Sequence, residues 1–430
     1  MNSSYGNPIP NRGIFIKKNE DYSFAHSSLQ ALSCLDCIFN IANNFQIIQL
    51  FPNNTLVKEF LSLLYCLYNN ANQSPTSDAI INNFERLYYN NRNQIKTQKV
   101  LNHDPFHFLY FLLQFMHIEI NNPIEPYYDL SNLYPNIQIQ QNDNSMFQIF
   151  CDFFQKTQNS FISDNFYNIE KHTFNCQSCG IYYFYNMKNI FKIEVDKAKF
   201  YRNSSFPQKS GYITLYELFD YYFSPNRANC KNCSKVGDED VKLSIHNNVI
   251  IIHLNRNSHN NNFNNDINFE ININMEKYIR NSIGNYEYSL KSLIAFNGMK
   301  YISICFINNN FYKYIDTEGS QVQYLDGVYQ YEPQILIYEK KTNQNFNNQF
   351  CNNGFNNQNY NNNNNNNNNK PNSNSSDALF NRIKNSSFIN CEGNNHNGNL
   401  SFEQKLDFQM NKVNNLNEIF SYFNENFGKK

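Results

Sequence analysis

Cys176-Gln-Ser-Cys179 and Cys230-Lys-Asn-Cys233 are the two stretches on which the reading of this chain turns. A Cys-x-x-Cys turn aims two thiolates at one point, and two such turns supply the four soft ligands of a tetrahedral zinc site. A site filled by four thiolates leaves no position for water, so it is structural rather than catalytic. Gly180 after the first doublet and Ser234-Lys235-Val236-Gly237 after the second suit tight knuckles, where a positive φ is useful. Two disulfides, or four unrelated core thiols, are the alternatives for the same spacing. The long interval between the doublets means that a shared metal joins distant parts of one domain.

Outward from these turns, the 430 residues suffice for one large domain or two ordinary ones. Aromatic residues make up 16% of the chain, all Phe and Tyr with no Trp, and they concentrate before residue 340. From Lys341 onward the composition turns Asn-rich, with an unbroken Asn run at 361–369, and such a tail buries too little apolar area to offset its ordering entropy. Within it, Leu406, Val413, Leu416, Ile419, Phe420 and Phe423 recur at helical spacing over 402–423. That pattern reads as an amphipathic helix that docks on a partner or on the body, or as a transient, Asn-diluted one.

A net charge of −1 without a clustered basic face argues against nucleic acid as a partner. The absence of any apolar run of about 18 residues argues against a membrane span. Met1-Asn2-Ser3-Ser4-Tyr5-Gly6 lacks the regions of a signal peptide, so an intracellular location, cytoplasmic or nuclear, is expected. In a reducing compartment the eleven cysteines read as ligands and core thiols. Cys34-Leu-Asp-Cys37 is a third doublet without a fourth to answer it, and it falls in a helical apolar pattern as core and surface of one helix.

The periodicity predicts helices over 27–41, with Ser27 or Ser28 as cap, and over 56–68, 78–89 and 105–118. Asp104 and Pro105 fit the N-cap and first turn of the last. His103, His107 and His117 lie too far apart for a shared metal and read as packed or solvated. After the first doublet the period changes. Strands are expected over 182–185, 190–195, 241–245, 249–254, 288–295, 301–307, 311–315 and 334–338, with one short helix opened by the capping box Thr214-Leu-Tyr-Glu217.

These blocks, taken in order, resemble the catalytic domain of ubiquitin-specific proteases, papain-like cysteine peptidases that cleave after the ubiquitin C-terminus. Ser27-Ser-Leu-Gln-Ala-Leu32 resembles the family's N-S-x-L-Q-x-L helix. Asn102-His-Asp-Pro-Phe-His-Phe-Leu109 with Phe115-Met-His-Ile-Glu119 resembles Q-D-A-x-E-F-L and its L-H-E-E continuation. Phe174-Asn-Cys-Gln-Ser-Cys-Gly180 and Ala228-Asn-Cys-Lys-Asn-Cys233 resemble the two knuckles of its zinc ribbon. Val249-Ile-Ile-Ile-His-Leu-Asn-Arg256 resembles V-L-x-I-H-L-x-R, Asn268-Phe269 the V-x-F-P after it, and Pro333-Gln-Ile-Leu-Ile-Tyr-Glu339 the terminal A-Y-x-L-F-Y-x strand. The resemblance implies an α+β, papain-like fold over 13–340: a helical thumb at 13–165, zinc-binding fingers at 166–245 and a β palm at 246–340. Residues 1–12 are an extension before it and 341–430 the tail.

The family's reaction needs a thiolate at a helix N-terminus, an imidazole base and an orienting carboxylate or carboxamide. The nucleophile of N-T-C-Y-x-N-S falls on Ser23 when counted back from Leu29-Gln30, and on Asp21 when counted forward from Gly13-Ile14. The oxyanion Asn five residues earlier falls on Lys18 or Ile16, with Asn19 out of register. In Gly298-Met-Lys-Tyr301 the base position of G-H-Y holds Lys300, and in Phe311-Tyr-Lys-Tyr-Ile-Asp316 the first acid of W-Y-x-F-D-D is Ile315, with Asp316 at the second. A slip that used Asp316 would place it on the other face of the strand. Ser23 and Lys300 could form a serine-lysine dyad, or both are drifted positions on a dead site. Cys34 and Cys37 lie a turn or more inside the helix, and His26 has no nucleophile to serve.

Three functions follow. The first is a non-catalytic ubiquitin-specific-protease fold, a pseudoenzyme with a structural zinc, that binds ubiquitin, a ubiquitinated protein or other proteins as a scaffold. The second is an active deubiquitinase with a displaced nucleophile. The third is a zinc-stabilised interaction protein without affinity for ubiquitin.

Overall fold

The computed structural model describes residues 14, 22–69, 76–91, 103–121, 151, 154, 158–178, 180–205, 212–230, 233–256, 267–280, 285–307, 310–315, 318–322 and 331–341. Asp21, Lys18, Ile16, Cys179, Asp316 and the expected helix at 402–423 lie outside them.

Seven helices come first among the described residues: α1 (Ser23–Leu32), α2 (Asp36–Ala42), α3 (Phe45–Gln49), α4 (Leu56–Asn69), α5 (Asp78–Asn91), α6 (Pro105–Ile120) and α7 (Phe161–Phe166). The single helix expected over 27–41 is two, and it begins four residues earlier. Ser27 and Ser28 are not caps; their hydroxyls donate back to the Phe24 carbonyl at 3.1 and 2.6 Å inside α1. The break falls where the Ser33 hydroxyl donates to the Gln30 carbonyl at 2.6 Å and Leu35 turns extended. Cys34 therefore sits buried between two helices, and Cys37 lies half-buried in the first turn of α2.

The start of α2 is set from far along the chain. The Glu339 carboxylate accepts the Asp36 and Cys37 N–H groups, both at 2.8 Å, and Lys291 bridges Asp36 at 2.6 Å and Glu339 at 3.6 Å. The Glu119 carboxylate likewise accepts the Leu56 and Val57 N–H groups at the head of α4. These are unsatisfied helix-end donors met by remote carboxylates, which no local pattern announces. Local caps appear as expected at α6, where Asp104 accepts the His107 N–H at 3.0 Å and Pro105 opens the helix. Ser160 and Ser163 form a capping box for α7.

The chain then runs through β1 (Asn168–Cys176), β2 (Gly180–Lys188), β3 (Phe191–Glu194), α8 (Val195–Ser205), β4 (Ile213–Thr214), α9 (Leu215–Tyr222), β5 (Asn226–Asn229), β6 (Val236–Ile245), β7 (Val249–Asn255), β8 (Ile267–Asn268), β9 (Asn272–Asn274), β10 (Glu287–Phe296), β11 (Tyr301–Ile307), β12 (Asn310–Ile315), β13 (Glu318–Val322) and β14 (Glu332–Lys340). The Thr214–Glu217 capping box opens α9 as expected. One antiparallel sheet has the order β2-β1-β6-β5. The larger sheet has the order β13-β12-β11-β10-β14-β7-β3, with β9 on β10 and only β3 parallel to its neighbour.

The larger sheet is buried on both faces, which is why 249–254 reads as a continuous apolar run. Ile251, Ile294, Ile335 and Ile337 join the core of α1, α4, α5 and α6. Ile250, Ile252, Leu293, Leu336 and Tyr338 alternate onto the far face with Ala198, Leu218 and Phe219 of α8 and α9. Two asparagines knit the place where helices and both sheets meet. Asn168 donates to the Val249 carbonyl at 3.1 Å and accepts the Asn247 N–H at 3.0 Å, while the Asn247 amide donates to the Ser163 and Tyr167 carbonyls. No helix among the described residues is long and apolar enough to cross a membrane.

Candidate functional site

Ser23 is the first residue of α1, after Tyr22, whose side chain makes no cap. Its hydroxyl accepts the Tyr301 N–H at 3.2 Å, so the head of the helix touches the first residue of β11. The turn before β11 is pinned by Asn297, whose side-chain oxygen accepts the Met299 and Lys300 N–H groups at 3.0 and 2.9 Å, and Gly298 there takes φ +93°. Ser23 and Lys300 are thus brought to neighbouring backbone. Ile315 ends β12 one residue past the Ser303–Tyr314 pair and packs with the far-face core, on the side of the sheet away from α1. His26 does not face a nucleophile; its Nε2 binds the Ile14 carbonyl, and the buried Gln30 side chain accepts the Ile14 N–H at 3.1 Å. Cys34 lies past the far end of α1, where its thiol and that of Cys305 both point to the Gln30 carbonyl, at 3.5 and 3.7 Å. Burial raises the Cys305 and Cys37 thiols well above their ordinary range, the reverse of an activated thiolate.

Rings pack where the head of α1 and α6 meet the larger sheet. His103 stacks on Phe24 with centroids 5.2 Å apart, and His253 of β7 stacks on Phe106 at 4.3 Å. Burial holds the His253 imidazole down at about 4, against the pull of Asp104, so it is neutral at pH 7. The Tyr301 hydroxyl is pushed up to about 12, first by burial and then by the charges of Asp104 and Glu332. Burial also works against the charge of Asp104, but hydrogen bonds from the His107 ring and N–H outweigh it and hold the carboxyl below its ordinary value. Just past β7, Arg256 donates to the Pro333 carbonyl at 2.6 Å and pairs with Glu332 at 3.2 Å. Sequence reasoning did not single out His253 or Phe106; the available signal was a lone polar residue inside Val249-Ile-Ile-Ile-His-Leu254. The three expected packed or solvated histidines divide as exposed His103, His107 paired to Asp104, and buried His117, held between Ser160 and Gln158 at 2.6 and 2.7 Å.

At the other end of the molecule, Cys176 closes β1, Cys230 follows β5 and Cys233 precedes β6. Their sulfurs lie within 4.8 Å of one another, Cys176 and Cys233 at 3.6 Å. A disulfide needs about 2.05 Å, whereas tetrahedral ligands about 2.3 Å from a common ion stand roughly 3.8 Å apart. The cluster can hold a soft metal ion. The left-handed turn residues fall within the two stretches expected to form knuckles. Gly180 takes φ +80° as foreseen, and in the second knuckle the left-handed residue is Ser234, at φ +60°. Gly237 is instead required by space, because a Cβ there would stand 2.4 Å from the Phe174 ring and 2.6 Å from the Asn175 carbonyl. The knuckles are tied by the Lys235 ammonium, which donates to the Ser178 hydroxyl at 2.9 Å, and the Cys230 carbonyl accepts the Ser234 N–H at 2.8 Å.

Known proteins share this architecture. A yeast SAGA DUB module carrying a mutant Sgf73 superposes with a TM-score of 0.53 at 14% identity, over 80% of this chain and 71% of that one. The SAGA Ubp8/Sgf11/Sus1/Sgf73 DUB module bound to ubiquitin aldehyde gives 0.52 at 14% identity over 79% and 71%. A SAGA DUB module with a substituted Ubp8, bound to monoubiquitin, gives 0.52 at 15% over 80% and 72%. At such identities the likeness carries the fold, the papain-like thumb, fingers and palm. No curated protein matches the chain. The family profile described as ubiquitin carboxyl-terminal hydrolase matches residues 18–338, three quarters of the sequence, with the thiol cluster and the head of α1 both inside the match. The chain belongs to the ubiquitin carboxyl-terminal hydrolase family and carries its ubiquitin-specific-protease domain.

Proposed function

We propose that this protein is a non-catalytic member of the family that binds ubiquitin or a ubiquitinated protein as a scaffold, with zinc in its finger knuckles. The observation that carries the reading is the contact of Ser23 with Tyr301, which supports the register in which the nucleophile position holds a hydroxyl and the base position is Lys300. A lysine offers no imidazole to take and return the proton between two ring nitrogens, and a serine needs a stronger base than a cysteine. At the orienting position, Ile315 is an aliphatic side chain packed in a core. Loss of all three groups leaves binding without hydrolysis. Zinc is the metal that a four-thiolate set selects, with Cys179 as the fourth ligand beside Cys176, Cys230 and Cys233. Ubiquitin is the partner in view because DUB modules of this fold have been captured with ubiquitin aldehyde and monoubiquitin.

The test is a calorimetric titration of ubiquitin into the zinc-loaded protein, with cleavage of a ubiquitin conjugate followed on the same sample. Saturable binding without product is the expected result. Product formation, abolished by one cysteine substitution, would overturn the non-catalytic reading; no binding by folded, metal-bound protein would leave a scaffold for other proteins.

A further inference from the structure

The stretch between β3 and α9 holds apolar surface that the ubiquitin-binding reading does not use. Phe200 is 75% exposed, Tyr212 71% and Tyr201 45%. They are held out by a fixed element, not by a loose loop. Ala198 of α8 is buried in the far-face core, and Arg202 of α8 donates to the Tyr212 carbonyl at 2.9 Å. Between α8 and α9 lies an open groove of about 590 Å³, lined by Asp196, Lys197, Phe200, Tyr201, Ser204 and Tyr221. The Tyr201 and Tyr221 rings stand 5.7 Å apart in it. Clustered, exposed aromatic side chains on a rigid helix mark a docking surface.

We propose that residues 413–423 of the same chain occupy this groove as a short amphipathic helix. Val413, Leu416, Phe420 and Phe423 fall at steps of three, four and three, a single stripe on a helix. From first to last that stripe is about 15 Å long, and the eleven residues of α8 measure about 16 Å. The chain also reaches. It leaves the palm after β14, and the pairings Glu339 to Val249 and Glu194 to Asn255 put that exit and the head of α8 at opposite ends of β7. Six strand steps and two strand spacings separate them, roughly 22 Å. A linker with the polar composition of residues 342–412 spans roughly 45 Å on average, so the segment meets the groove at an effective concentration on the order of millimolar or somewhat below. Weak contacts of a few side chains are populated under those conditions without a second molecule.

The chain has no Trp, so Phe420→Trp in the full-length protein gives a single reporter. The expected result is emission shifted to shorter wavelength and shielded from a soluble quencher, independent of protein concentration. Adding Phe200→Asp, a surface change, returns the spectrum to that of a solvated indole while thermal unfolding stays the same. A solvated spectrum from the start, or a shift that survives Phe200→Asp, overturns the proposal. A shift that grows with protein concentration assigns the groove to a second copy and overturns docking within one chain. Hydrogen exchange on the unmodified chain controls for the added indole: protection of the 195–205 amides should fall several-fold in Leu416→Asp, and equal protection in both overturns the proposal as well.

Discussion

The finger knuckles and the head of α1 are built alike, each by a backbone turn that presents side chains at fixed spacing, yet they hold different things. At the knuckles three thiols meet within 4.8 Å. At the head of α1 the backbone meeting is in place, Ser23 to Tyr301 at 3.2 Å, and in the proposed register Ser23, Lys300 and Ile315 take the positions where the family's reaction needs thiol, imidazole and carboxylate. The difference teaches that fold and reaction draw on separate side chains. A metal held by the thiol cluster would clamp strands of a four-stranded sheet that has few large apolar residues at its tip. In the proposed register the fold stands with all three reaction groups replaced.

The comparison breaks most visibly through the metal. Cys230→Ser, or a strong chelator, should release the ion and unfold the fingers, a loss of several kcal/mol up to about 10, read as metal content and as a fall in melting temperature. If the melting temperature stays put after complete metal loss, the knuckles are not the clamp described. Next comes the tie between the helices and the larger sheet. Glu339→Gln removes a buried charge that holds two N–H groups and Lys291. It should cost about 3–5 kcal/mol in urea unfolding, with metal content unchanged.

Acid should act on the helical side. His117 is buried and its folded value lies at about 4, with burial the main cause; the ordinary value is about 6.5. The unfolded chain therefore takes up this proton first. The contribution is complete above about pH 6.5 and is lost as pH falls toward 4, on the order of 3 kcal/mol. His117→Gln should remove that share of the pH dependence of melting between those limits and leave the share of His253, which burial also holds at about 4, with metal content measured at each pH. The smallest effect is expected at the reaction position itself. Ser23→Ala removes one hydrogen bond and should cost about 1 kcal/mol or less, with ubiquitin affinity by calorimetry unchanged. A larger loss of binding would mean that Ser23 does more than occupy the place of a nucleophile.

Much of this was legible because it is local. The strand at 301–307, the capping box at Thr214 and the Asp104-Pro105 start of α6 each depend on residues within a turn or two of one another. The thiol cluster was legible because doublet spacing encodes a ligand geometry. What escaped was set at a distance. The N–H groups that open α2 after the split are met by Glu339, some 300 residues away in sequence, and no window contains both. The β1 strand was missed because Asn168-Ile-Glu-Lys-His-Thr-Phe lacks an apolar alternation; its polar side chains are met by partners such as Tyr222, which donates to Glu170 at 2.6 Å. His253 hid inside an apolar run because its partner, Phe106, comes from another element. Within the expected second knuckle the sequence did not say which residue turns left-handed; Ser234 does, while Gly237 is selected by close approach to Phe174 and Asn175.

The two asparagines at the root of the fingers have a mechanical consequence. Asn168 and Asn247 fasten β1 and β6 where the helices and the larger sheet converge, and from there β1 runs nine residues, about 30 Å, to Cys176. That makes the fingers a lever with its fulcrum at a hydrogen-bonded joint. A rotation of roughly 5° at the joint sweeps the tip by roughly 3 Å over a 30 Å arm. A change at either asparagine would thus be felt at the thiol cluster with that leverage.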